Sequence, residues 1–377
     1  MGGIKDRTLR WFIQHVIIPR REIIDRPGFI VNTLGGKKDV FLREVILPER
    51  LIEDIENLIA EKYGLEGRKR LYSAGKKFGY AYASLSDFPT IETTPGKRLS
   101  SFADTVVRYI ETLYAEKLSH RIDASKKSFV LDAVDYIVCR HNGRGHIMTE
   151  GGISGIWAYC MQEPSIEGYQ IQCQGRGDAQ CKVVCEPIDF LREEIESPLT
   201  ETSLEEVFQD ENYKEMNMFR ETYHAKVSLA DLINCGVVSY ERGKLIFNGE
   251  RYFPVDSHLL YFMEREISSL DEGEEDLFNV CFKWASDLAS TGEYTPEYLI
   301  TEFLPSLGFG EILITGGKEQ PVVVINYYPW TIFSKESNYP IIKGILSGIL
   351  SVDCGRDVSL KKHATNFDKG LSLEIMQ

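Results

Sequence analysis

Residues 145–187, GHIMTEGGISGIWAYCMQEPSIEGYQIQCQGRGDAQCKVVCEP, constrain this chain more than any other stretch. A glycine-spaced apolar run, 151–155, leads into a helix that reaches Cys160. Glu163 and Pro164 then end it, because proline cannot continue a helix. Two alternating segments follow, 169–173 and 181–185, which predict antiparallel strands. Between them Gly175-Arg176-Gly177-Asp178-Ala179 supplies the turn, with Gly where positive φ is cheap. A hairpin centred on Gly177 makes Cys173 and Cys181 cross-strand neighbours, with Cβ atoms roughly 5 Å apart.

The chain has 377 residues, room for two domains. Its net charge of −14 argues against nonspecific nucleic-acid binding, since phosphate contacts need clustered Lys and Arg. No apolar run reaches about 18 residues, so no transmembrane segment is expected. The opening MGGIKDRTLRWF lacks a signal-peptide core. A cytoplasmic protein with reduced thiols is the expectation. Its eight cysteines are then either buried small apolar residues or metal ligands.

Residues 4–26 interleave Ile4, Leu9, Trp11 and Phe12 with basic side chains. They predict an amphipathic helical arm that packs on its own domain, a dimer mate or a membrane surface. Residues 28–47 predict a β-hairpin turning at Gly35-Gly36. Pro48 opens a helix with Leu51, Ile55, Leu58 and Ile59 on one face and Gly64 as its stop. A second helix starts near Arg70, a third spans 99–118, and 128–140 read as strand ending in Cys139. Residues 188–222 are acidic and broken by Pro198. The predicted organisation is therefore an arm 1–27, a first domain 28–187, a linker 188–222 and a second domain 223–377.

The second half echoes the first. A shift of 206 residues aligns Val40-Phe41 with Ile246-Phe247, Pro48 with Pro254, and Leu71-Tyr72 with Leu277-Phe278. A shift of 193 aligns Ser154-Gly155-Ile156 with Ser347-Gly348-Ile349, and one of 190 pairs Cys173 with His363 and Asp178 with Asp368. These echoes predict a tandem repeat. The expected class is α/β (α+β): two tandem domains, each an antiparallel sheet packed with helices. Cys181 falls opposite Leu371 and nothing answers Cys185, so any metal site belongs to the first copy.

The apolar Gly-rich helix, the strand ending in Cys173 and the run GRGDAQC resemble the small-molecule-binding domain named after 4-vinyl reductase. The resemblance implies a compact α/β fold, related to vesicle-tethering TRAPP subunits, that binds apolar ligands. Tyr72, Gly75 and Gly79 fit its helix pattern. Members of the family within aromatic-responsive transcription activators hold zinc with Cys, Glu, Cys and Cys. Carried over by position, Cys173 and Cys181 match, while the Glu position is Gln170 and the first Cys position is Ile147. Zinc takes four N, S or O ligands in a tetrahedron. His146, Cys185 and Cys160 are therefore the candidates to complete the set. The alternative is that these cysteines are buried apolar residues.

The same resemblance implies an apolar ligand pocket between sheet and helices. Phe78, Tyr82, Trp157 and Tyr159 would line it in the first copy, and Trp284, Tyr327 and Trp330 in the second. The plainer alternative is ordinary core. The sequence holds no Walker loop, dinucleotide fingerprint, nucleophile elbow or His-Glu-x-x-His. His141 and His146 near Cys139 and Cys160 give no sign of an activated Cys–His pair. The reading is a non-catalytic sensor or regulator that binds a small hydrophobic molecule and acts through a protein partner or a homodimer. A TRAPP-like assembly scaffold and an accessory role in tetrapyrrole or cofactor biosynthesis are the alternatives.

Overall fold

Three antiparallel sheets organise the described residues, two of four strands and one of six. They belong to a computed structural model that describes residues 23–33, 41–86, 88–92, 96–139, 145–194, 202–204, 207, 222–241, 244–316, 321–331, 337–366 and 370–376. The class is mixed α/β, with antiparallel sheets packed by helices.

Strands β1 (Ile23–Arg26), β2 (Phe29–Thr33) and β3 (Phe41–Pro48) form a meander. The hairpin expected over 28–47 is β2–β3, and its tip at Gly35-Gly36 lies outside the described residues. The helical arm needs correction at 23–26, which are strand. Pro27 biases the residue before it away from helix, and the segment pairs with β2 instead. Residues 1–22 of that arm lie outside the described residues.

Helix α1 (Glu49–Leu85) starts directly after Pro48, as expected. Gly64, at φ 56° and ψ −126°, is non-helical, so α1 is two helical segments that meet at a sharp kink at the expected stop. Then come α2 (Gly96–Tyr114), β4 (Lys117–Asp123), β5 (Ser128–Val134), α3 (Ile147–Met161), β6 (Ile166–Gln172), β7 (Cys181–Pro187) and α4 (Ile188–Glu194). Helix α3 ends where expected, with Gln162 in the left-handed conformation. It lies against α1 with backbones almost touching. A Cβ on Gly151 would sit 2.2 Å from the Tyr72 carbonyl oxygen, and one on Gly155 2.1 Å from that of Lys76.

The second half supplies α5 (Leu229–Asn234), β8 (Ser239–Glu241), β9 (Lys244–Phe247), β10 (Glu250–Asp256), α6 (Ser257–Ser268) and α7 (Gly273–Ser290). It continues with β11 (Glu311–Thr315), β12 (Val322–Asn326), α8 (Pro340–Cys354), β13 (Leu360–Asn366) and β14 (Gly370–Ile375). The order β11-β12-β14-β13 repeats β4-β5-β7-β6. The helix contact repeats too. A Cβ on Gly344 would meet the Phe278 carbonyl oxygen at 2.4 Å, and one on Gly348 that of Phe282 at 2.4 Å. These are the positions that shifts of 193 and 206 align with Gly151, Tyr72, Gly155 and Lys76. In the strands the 206 shift fails. Phe41 lies on β3 whereas Phe247 lies on β9, and α1 follows Pro48 whereas α6 follows Asp256. The second half is shorter between the start of its first helix and Phe278, which displaces the register upstream.

β3 pairs with β10, so the opening strands of both halves form one sheet, β1-β2-β3-β10-β9-β8. Ile46 faces Pro254 at the centre of that seam, and Glu44 faces Asp256 at one end. Buried Lys77 of α1 binds Glu266 of α6 at 2.6 Å across the same junction. The hydrophobic core is continuous through both halves.

Candidate functional site

The base of the β6–β7 hairpin gathers three thiols. Asp178 accepts from the Cys173 amide at 2.8 Å, and Gly177 takes φ 94°, which closes the turn. The Gln174 amide donates to the Cys181 sulfur at 3.4 Å. From the other side the chain leaves β5 through Asp135 (φ 52°) and Val138 (φ 65°), two reversals that bring Cys139 onto the hairpin base. The sulfurs of Cys139, Cys173 and Cys181 are buried and lie within 4.8 Å of one another. A tetrahedral zinc–thiolate shell spaces its sulfurs by roughly 3.8 Å, so little adjustment is needed. The Gln170 amide nitrogen lies 3.5 Å from the Cys139 sulfur, beside the trio. The Cys173 thiol is held far below the ordinary thiol range because the Cys139 and Cys181 thiols hydrogen-bond to it. Contact with Cys173, then Cys181 and burial, pushes the Cys139 thiol up. Among the described residues this is the one cluster of His, Cys, Asp and Glu that fits a metal ion.

Cys173 and Cys181 therefore come together as expected, and three other expected ligands do not. Cys185 shares a strand with Cys181, but four residues of strand span about 13 Å. It pairs with Phe129 and Gly168 instead. His146 lies outside the cluster, with its Nδ1 bonded to Glu56 at 2.8 Å. Cys160, near the end of α3, lies among Phe88, Leu99 and Trp157. The third thiol of the cluster, Cys139, is not among the candidate ligands read from the sequence, where the family's first Cys position falls on Ile147. Its only sequence signal was being a cysteine at the end of a strand; of the two left-handed residues that deliver it, Asp135 is a type that tolerates that conformation and Val138 a β-branched one that rarely adopts it.

Three adjoining voids run beneath α3, and Ile153 lines all of them. One of about 50 Å³ is wholly apolar, bounded by Phe102, Val106 and Trp157. One of about 130 Å³ is bounded by Phe78, Tyr82 and Tyr136, with Phe253 and Leu259 from the second half. The smallest, about 10 Å³, touches Cys139, Cys181 and Gln170 and shares Tyr136, His146 and Thr149 with the largest. Phe78, Tyr82 and Trp157 thus line cavities as expected. Tyr159 does not: it packs edge-on against Tyr80 at 5.4 Å. In the second half, Trp330 is fully buried and its indole donates to Glu264 at 2.6 Å. Tyr327 packs against Phe29, and Trp284 is buried in the core beside Glu250. None of the three lines these voids.

A buried polar network pins the start of β6 to α1. Lys76 and Glu167, both fully buried, meet at 2.6 Å. The Tyr72 hydroxyl donates to Glu167 at 2.6 Å, and the Thr202 amide donates to it at 2.8 Å. Burial raises the Glu167 carboxyl even so. Glu150, buried in α3, is pushed up to about 8 by burial.

No family model matches the chain. No curated protein matches it. Among solved structures it is similar to the phenol-responsive sensory domain of the transcription activator PoxR, crystallised with phenol. The identity is 14%, the match covers 48% of this chain and 91% of that one, and the TM-score is 0.35. A likeness that weak carries no functional meaning. Among the described residues no helix is long and apolar enough to cross a membrane.

Proposed function

We propose that this chain is a non-catalytic sensor or regulator that binds a small, largely apolar molecule, built as two tandem vinyl-reductase-type domains. The observation that carries the reading is the row of apolar voids under α3, which ends at the three buried thiols. Ordinary cores leave few voids larger than a water molecule.

Zinc fits the trio by charge, softness and spacing, with Cys139, Cys173 and Cys181 as thiolate ligands. When bound, the metal would tie the segment after β5 to the β6–β7 hairpin and so fix one end of the cavity row. The second domain keeps the fold without this chemistry, since Leu371 is buried where Cys181 has its counterpart. Output then passes to a protein partner or through a homodimer. A tetrapyrrole is far larger than these voids, which weighs against the biosynthetic reading.

Native mass spectrometry with elemental analysis, on protein purified without tag or chelator, tests the reading. The expected result is one zinc per chain and a small non-covalent adduct that Ile153→Trp abolishes. A clean apo mass with no metal would favour the scaffold alternative.

A further inference from the structure

The largest of the three voids under α3 lies at the seam between the halves. The first half gives it α1, α2 and α3; the second gives it the end of β10 and Leu259 of α6. Its wall is rich in tyrosine: Tyr82, Tyr109, Tyr114 and Tyr136 all line it. Two carboxylates, Glu44 and Asp256, line it as well, and among its described lining residues there is no Lys or Arg. His146 also lines it, and Arg251 of β10, which donates to the Leu113 carbonyl at 3.3 Å, acts electrostatically on the lining Tyr136.

Those carboxylates are direct partners in the β3–β10 ladder. Asp256 is only 9% exposed. Its Oδ1 accepts from the His258 amide at 2.8 Å and meets the His258 ring at 2.6 Å. Its Oδ2 is buried with no hydrogen-bond partner among the described residues, a state that costs free energy until a donor arrives.

We propose that this seam cavity takes a small organic cation, a protonated amine on a ring-sized apolar body, with Glu44 and Asp256 receiving the charge and the tyrosines the body. Aromatic rings attract cations through their negative faces, and a charged donor to a carboxylate makes the stronger class of hydrogen bond. The size agrees. The cavity measures about 130 Å³, and an apolar cavity of about 150 Å³ is known to take benzene. This inference rests on the ligand-binding reading above and assigns the ligand's chemical class.

Isothermal titration of the full chain with benzylamine, benzyl alcohol and benzoate tests it, since the three share a body and differ in charge. Benzylamine should bind about tenfold or more tighter than benzyl alcohol, and benzoate not measurably. Asp256→Asn keeps the helix cap, and with Glu44→Gln it should bring the amine to within about threefold of the alcohol. Equal affinity for amine and alcohol, or an amine preference that survives both substitutions, overturns the inference and leaves the apolar-ligand reading standing. Failure of all three to bind overturns both.

Discussion

Glu56 and Glu264 do the same work in the two halves: Glu56 accepts from the Met148 amide at 2.9 Å, and Glu264 from the Ile341 amide at 3.2 Å. Glu56 on α1 and Glu264 on α6 are each a buried carboxyl that satisfies an amide in the first turn of the glycine-spaced helix. Helix N-termini leave such amides unpartnered and favour negative charge. The second acceptor bond differs. Glu56 takes the His146 ring, Glu264 the Trp330 indole.

Burial pushes Glu264 up to about 8, as it does Glu150. A carboxyl with a raised folded pKa holds its proton in the fold after the unfolded chain has released it. Stability from this source is present below the unfolded value near 4.5 and is lost as pH rises through about 8. Each group contributes a slope of about 1.4 kcal/mol per pH unit in that window. Thermal melts from pH 5.5 to 8.5 should show Tm falling with pH. Glu264→Gln, which keeps an acceptor oxygen, should flatten part of that fall; an unchanged profile would remove Glu264 as its source.

With zinc on the trio as proposed, Cys139→Ala, Cys173→Ala and Cys181→Ala should each abolish metal binding and lower Tm by more than about 5 °C, because structural zinc contributes its binding free energy to folding. Cys185→Ala should keep one zinc per chain and cost about 1 kcal/mol from lost packing. Metal analysis of all four variants decides between the trio and the strand-neighbour set.

Gly155→Ala and Gly348→Ala each drive a methyl into a carbonyl oxygen at 2.1 and 2.4 Å. Both should cost at least about 2 kcal/mol, since helix backbones would have to part. Chemical denaturation reads this directly. Costs below half of that would mean the helices reseat freely.

Lys76→Met leaves Glu167 as an uncompensated buried charge and should cost about 3–5 kcal/mol. Adding Glu167→Leu should recover more than half, since replacing a whole buried pair with apolar groups is often neutral. A double variant no more stable than the single would show that the Tyr72 and Thr202 bonds to Glu167 dominate instead.

The helices and the β6–β7 hairpin were legible in the sequence because local chemistry sets them: Pro48 starts a helix, Gln162 ends one before Pro164, and Gly177 turns the hairpin. The helix echoes were legible because glycine is required wherever backbones touch, as at Gly155 and Gly348. Cys139 was not legible, since its approach depends on left-handed Asp135 and Val138, and neither residue type announces that conformation. The ligand cavity was legible only on one side. Phe78 and Tyr82 came from the helical pattern, but Phe253 and Asp256 reach it through the β3–β10 pairing, which connects residues about 200 apart in the chain and leaves no local pattern.

That pairing has an evolutionary and practical consequence. Ile46 and Pro254 meet at the middle of an antiparallel seam, the arrangement found where two identical subunits meet about a two-fold axis. Within this chain the two halves close that axis on each other. A first half expressed alone would expose β3 as an open edge and find its missing neighbour in another copy of itself.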